Sequence, residues 1–182
     1  MNKFKKSVAV AVFASLTLGV FSTTASYGAT TLTLEQKKQL QYLVEEEKLA
    51  RDVYNYLAAN VTTQKFSNIA KSEQTHMTYI ANLLKTYKVY NPAATTKPGV
   101  FKDPVLQKLY NDLIASGKTS VAAAFAAGVT VEQTDIADLE EMNTLKMPAD
   151  VQAALDSLLR GSQNHLAAFS QIGRATLNSS HT

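Results

Sequence analysis

In the stretch "SNIAKSEQTHMTYIANLL" (67–84), Glu73 and His76 stand one helical turn apart on the stripe that also carries Phe66, Ile69, Ile80 and Leu83. A carboxylate and an imidazole at that spacing bring oxygen and nitrogen donors to one point, the arrangement that binds a cation or shares a proton. The same kind of interruption occurs in three other stretches. In "VEEEKLARDVY" it is Glu47, on the stripe Leu40, Leu43, Glu47, Ala50, Tyr54, Leu57. In "VEQTD" it is Glu132 and Asp135, on the stripe Val121, Phe125, Gly128, Glu132, Asp135, Leu139, Met142. In "SQNH" it is Ser162 and His165, on the stripe Val151, Leu155, Leu158, Ser162, His165, Phe169, Ile172. Each stripe advances by threes and fours, the seam of packed helices, and each turns polar near its middle.

An unpaired carboxylate inside a core costs several kcal/mol, so these groups must neutralise one another or share a cation. No Lys or Arg lies on any of the four stripes. Glu47, Glu73, His76, Glu132, Asp135 and His165 are therefore candidate ligands for a divalent or trivalent metal. The chain has 3 histidines, and only His181, in the tail, falls outside the seams. One histidine in a core is ordinarily structural; two at matching positions, each with a carboxylate a turn away, favour ligation. The first helix is the least certain in register, because Glu45, Glu46 and Glu47 are consecutive and one of them would meet the stripe by chance. With no cysteine, disulfides, zinc–thiolate sites and a lipid anchor on cysteine are excluded.

The elements that must position these residues are helices. Thr33 with Gln36 reads as a capping box opening a helix that runs to about Asn60, and a second runs from about Lys65 to Tyr87. The stretch "KVYNPAATTKPGVFKDP" has loop chemistry. After it, Asp103 as cap, Pro104 at the first position and Gly117 past the end predict a short helix. A third long helix spans about Ser120 to Asn143, a fourth about Pro148 to Asn178, and the tail "SSHT" is expected to fray. Two helix pairs joined by a long link predict an all-α fold, a four-helix bundle with one crossover that carries a short extra helix.

The bundle is expected to occupy residues 30–182. Residues 1–29 read as an export signal: a basic "MNKFKK", the apolar run "SVAVAVFASLTLGVF" and the small residues of "STTASYGA", with cleavage between Ser26 and Thr30. The run is shorter than the ~20 residues a spanning helix needs, so no membrane contact is expected after cleavage. Lys3, Lys5 and Lys6 are the only charges in the signal; without them the 18 basic residues fall to fifteen, equal to the 15 acidic ones. No basic patch then argues for nucleic acid or an anionic membrane. The expected location is secreted or periplasmic.

The interrupted stripes resemble the ferritin-like di-iron carboxylate superfamily, rubrerythrin in particular, whose ligand set is a Glu on each of two helices and Glu-x-x-His on each of the other two. "EKLARDVY" (47–54) resembles the first-helix motif, "EQTH" (73–76) the second and "EQTD" (132–135) the paired carboxylates of the third. "SQNH" keeps His165 but has Ser162 where that family has Glu, so one bridging carboxylate is missing. The chain is also similar, over about residues 35–175, to the DUF2202 domain family, through "EEEKLARDVY", "FSNIAKSEQTHM", "LLKTY" and "LLRGSQNHLAAF". The resemblance implies a ferritin-like fold and one or two iron ions, with manganese or zinc as alternatives. The DUF2202 resemblance brings no established activity with it, but two metals bridged by carboxylates suit oxidase- or peroxidase-type chemistry on iron, O2 or peroxide. On that reading Glu47, Glu73 and His76 hold one metal, Glu132 and His165 the second, and Glu73 or Asp135 bridges them. Tyr54 packs in the core, hydrogen-bonds a ligand or carries a radical, and Arg51 pairs with a carboxylate. Without cysteine there is no rubredoxin module, so electrons would come from elsewhere. The competing readings are a structural or partner-binding bundle with a metal-free polar core and, more remotely, an acid–base hydrolase, which would need an open cleft.

Overall fold

The structure, a computed structural model, describes residues 31–61 and 63–179, with side chains to residue 171. The expected export signal, the side chain of Ile172, and His181 lie outside the described residues. Among the described residues there are five α-helices, a short 3₁₀ turn and no strand: α1 (Leu34–Asn60), α2 (Gln64–Thr86), the turn Pro92–Thr95, α3 (Pro104–Gly117), α4 (Val121–Met142) and α5 (Ala149–Ser179).

Local chemistry sets the helix ends. Thr33 and Gln36 form the reciprocal capping box, and Gln36 Nε2 also donates to Lys146 O at 2.9 Å, tying the start of α1 to the α4–α5 link. Thr63 caps α2, Asp103 caps α3 by accepting from the Val105 and Leu106 N–H groups, and Ser120 caps α4. The end of α2 turns through Lys88 at φ 55°. There the Val89 N–H returns to Leu84 O at 2.8 Å and Lys88 N–H to Lys85 O at 3.1 Å, a Schellman closure made without the usual glycine.

α1 packs along α2 and α4 along α5, while α1 also meets α4 and α2 meets α5. Two apolar clusters occupy opposite ends of this packing. One is aromatic, with Tyr54, Phe66, Phe125 and Phe169 among Leu57, Ile69 and Val131. The other is aliphatic, with Leu40, Leu43, Ile80, Leu84, Leu139, Val151, Leu155 and Leu158. α1 and α5 run from the aliphatic end to the aromatic end, and α2 and α4 run the other way. The polar residues of all four stripes fall at one level between the clusters.

The connection from α2 to α4 is fastened along α1. Lys48 Nζ reaches Asp52 Oδ2 at 2.7 Å, Lys97 O at 2.9 Å and Val100 O at 3.1 Å, and lies 4.3 Å over the Phe101 ring. Glu45 accepts from the Lys102 and Asp103 N–H groups, and Asp52 accepts from the Gly99 N–H. Phe101, Leu106 and Leu113 then close over the aromatic cluster.

Four details differ from expectation. Val121 is 41% exposed, because it is the first residue of α4 and lies beyond the core. On α2, Leu84 rather than Leu83 is buried, as the drift between a 3.5-residue and a 3.6-residue repeat requires. Gly117 is the last residue of α3 rather than the one after it; a Cβ there would stand 2.9 Å from Leu57 Cδ2 and 3.2 Å from Ala127 Cβ, so its role is close packing. The link read as loop contains the turn Pro92–Thr95, which Asn91 caps through the Ala93 N–H.

Candidate metal centre

Glu47 comes from α1, Glu73 and His76 from α2, Glu132 and Asp135 from α4, and Ser162 and His165 from α5. Apart from His165, whose side chain is 13% exposed, all are buried. Glu47, Glu73 and His76 each bring one donor atom within 4.8 Å of the others, and Glu73, Glu132 and His165 do the same. Glu73 thus stands between two sets of donors, turning Oε2 toward His76 Nδ1 at 2.9 Å and Oε1 toward His165 Nδ1 at 2.7 Å. Glu47 Oε2 lies 3.4 Å from His76 Nδ1, and Glu132 Oε1 3.6 Å from His165 Nδ1. The two imidazole rings stack with centroids 5.8 Å apart.

Asp135 joins neither triplet. Its Oδ2 accepts from the Ser162 hydroxyl at 2.5 Å, and its Oδ1 has no partner. Ser162, at 0% exposure, also lies 3.0 Å from Leu158 O. Tyr54 both packs and bonds. Its ring sits against Phe66 and Phe169, and its hydroxyl donates to Glu132 Oε1 at 2.6 Å, fixing that carboxylate from the aromatic side. Arg51 pairs with Asp52 at 2.7 Å, away from the layer.

The electrostatics show what the layer lacks. Burial pushes the Glu47 carboxyl well above its ordinary value, and Asp135, Glu73 and Glu132 push it the same way. Burial is also the leading cause that raises Glu132 and Asp135 to about 7 each. Burial opposes the charge of Glu73 as well, but His165 and His76 outweigh it and hold that carboxyl below the usual range. Burial disfavours the imidazolium of His165, yet Glu132 and Glu73 lift it to about 9; His76 moves up against burial through Glu73. Even with both histidines protonated the carboxylates outnumber the positive charges, and the nearby Lys48 and Arg51 are both spent on Asp52.

A metal ion fits this donor set. Glu47 Oε1, Glu73 Oε1, His76 Nδ1 and His165 Nδ1 are all buried without a hydrogen bond. The His76 and His165 Nδ1 atoms lie 2.9 and 2.7 Å from the Glu73 oxygens but outside hydrogen-bond geometry, a spacing at which deprotonated donors can share an ion. Native interiors rarely leave so many polar atoms unsatisfied at one place.

Sequence reasoning missed two neighbours of the layer. Glu46 is 3% exposed with neither oxygen bonded, beside Asp135 and Asp138. Every residue from Leu43 through Ala50 is buried, because α1 has α2, α4 and the connection around it, so the three consecutive glutamates all enter the interior on different faces. Gly161 is the second: a Cβ on it would meet His76 Nε2 at 2.6 Å and Cε1 at 2.5 Å. Its hydrogen lets the imidazole lie against α5. The "RGSQNH" stretch carried that signal as a glycine in mid-helix.

The comparisons agree with this arrangement in extent. Residues 36–175, which contain every residue of the layer, match the family described as an uncharacterized protein domain, DUF2202. The chain is 42% identical over 135 residues to "Uncharacterized protein MJ0754" of Methanocaldococcus jannaschii, across 74% of this chain and 73% of that one. A solved structure, titled as the crystal structure of hypothetical protein MJ0754 from Methanococcus jannaschii, aligns at 38% identity with a TM-score of 0.79, over 84% of this chain and 87% of that chain. The chain belongs to the DUF2202 family.

Proposed function

We propose that this protein is an exported, ferritin-like four-helix bundle whose polar layer holds two metal ions, iron in the first instance, with manganese or zinc as alternative occupants. The carrying observation is Glu73, whose two oxygens face two separate histidines, each backed by a further carboxylate on a different helix. Glu47, Glu73 and His76 hold one ion; Glu73, Glu132 and His165 hold the other, with Glu73 as the bridge. Iron held in pairs supplies electrons to O2 or peroxide.

The chain's own residues prepare that chemistry. The Tyr54 hydroxyl holds Glu132 at a fixed angle, and the Ser162 hydroxyl holds Asp135 back from either triplet. The aromatic and aliphatic clusters lie on either side of the layer, and His165, 13% exposed, is the member of it that solvent touches most. Asp135, whose carboxyl burial raises to about 7, lies in the same layer with its Oδ1 unbonded.

A metal-free structural network is the weaker reading, because such networks satisfy their members and this one leaves Glu47 Oε1, Glu73 Oε1, Asp135 Oδ1 and both imidazole Nδ1 atoms without a hydrogen bond. The test of function is anaerobic loading with ferrous iron followed by O2 or peroxide, monitored by the ferric absorption. Oxidation faster than in protein-free buffer, and lost in Glu73→Gln, is expected. Oxidation no faster than in buffer would remove the redox half of the proposal.

A further inference from the structure

Where α1 faces α4, an open pocket of about 400 Å³ is lined by Lys38, Gln39, Tyr42, Asp103, Asp138 and Glu141. Asp135, Asp138 and Glu141 follow one another at three-residue spacing along α4, and they grade from buried through half-buried to exposed. Together they run from the polar layer to the pocket. Across from them stands Glu46 of α1, 3% exposed, next to Asp138 and Asp135, with both oxygens unpartnered. Glu46 and Asp138 are close enough to share a proton, but neither is in an ion pair among the described residues. Asp135 Oδ1 is likewise free. Lys38, the one basic residue of the lining, is exposed at its rim.

We propose that Glu141, Asp138, Glu46 and Asp135 form a carboxylate ladder along which divalent cations pass from this pocket to the buried centre. The proposal rests on the metal reading above and adds the side from which the ions arrive. A cation leaving water must exchange its hydration oxygens one at a time, and each step needs a carboxylate not already committed to a stronger partner. Glu45 and Asp52, on other faces of α1, are filled by N–H groups and by Lys48. Glu46 has no N–H, hydroxyl or cationic donor, and it precedes Glu47 of the centre in sequence. A recess in which Asp103, Asp138 and Glu141 outnumber the single Lys38 also concentrates cations and raises their rate of arrival.

The test is the rate at which the purified, metal-free protein takes up cobalt(II), followed by the visible absorption of the bound ion in a stopped-flow instrument. Glu46→Gln and Asp138→Asn should each slow uptake about 3- to 10-fold, within the range that electrostatic focusing contributes to association. The final number of ions bound should not change. Asp156→Asn, an exposed acid on α5 away from the pocket, should load at the wild-type rate. Uptake by both ladder variants as fast as wild type would overturn the ladder and leave the centre standing. Fewer ions bound by Glu46→Gln would overturn it too, by making Glu46 a ligand. A wild type that takes up no cobalt would overturn the metal reading and the ladder with it.

Discussion

Glu47 and Lys48 are consecutive, both 1% exposed, and they meet opposite surroundings. Lys48 points into the connection, where Asp52, two backbone carbonyls and the face of Phe101 surround its ammonium. Glu45 and Asp52 on the same side are filled by backbone N–H groups. Glu47 points into the helix packing, where it meets other carboxylates and an imidazole, and one of its oxygens has no partner. The first cluster is complete within the protein and fastens a long connection. The second is incomplete, and what would complete it is positive charge. Burial alone therefore does not mark a functional carboxylate; burial without a partner does.

Breaking the complete cluster should have the largest effect. Lys48→Met leaves Asp52 buried and two carbonyls without their donor, and should cost about 3–5 kcal/mol, the usual penalty for removing one member of a buried pair. The midpoint of chemical denaturation reads it directly. Neutralising the incomplete cluster should act with the opposite sign in the metal-free protein. There Glu47→Gln removes an uncompensated buried acid and should raise stability by about 1–3 kcal/mol, while lowering the metal bound. A loss of stability in that variant would mean that Glu47 has a partner after all.

Gly161→Ala sharpens the contrast without touching a charge. The added methyl must displace the His76 ring, and metal affinity should fall by about 10- to 100-fold, as when a group orienting a ligand is lost, with helicity retained by circular dichroism. The contrast also shows as a drift with pH. Glu132 and Asp135 at about 7 and His165 at about 9 all titrate above their unfolded values. Each therefore favours folding fully below its unfolded pKa and loses that contribution as pH rises through its folded one. Glu73 is lowered, so its contribution is present at neutral pH and disappears only in acid. The melting temperature of the metal-free protein should fall from about pH 5 to pH 9. In excess metal the fall should shrink or reverse, because the ion replaces the protons that leave.

The long helices and their caps were legible because their signals are local: the Thr33–Gln36 box, Asp103 before Pro104, and Ser120 all lie where the sequence placed them. Glu47, Glu73, His76, Glu132 and His165 were legible because a charge interrupts an apolar stripe, and the helix packing brings them to one level. Asp135 comes to the same level but turns to Ser162, a choice between two neighbours that spacing cannot make. Glu46 was not legible, since only the full surroundings of α1 show that three consecutive glutamates are all enclosed. Lys48 was hidden for the same reason: its partners lie in the connection, about fifty residues away. The role of Gly161 depends on a ring of another helix, which no pattern within α5 contains.

The most direct measurement is the metal content of the purified protein, by elemental mass spectrometry, after loading with ferrous iron, manganese or zinc and thorough desalting. Two equivalents per chain are expected for the wild type, and less than one for Glu73→Gln, because both donor sets share that residue. No metal retained under any condition would contradict the centre, and the unpartnered acids of the layer would then have to be explained as a structural network.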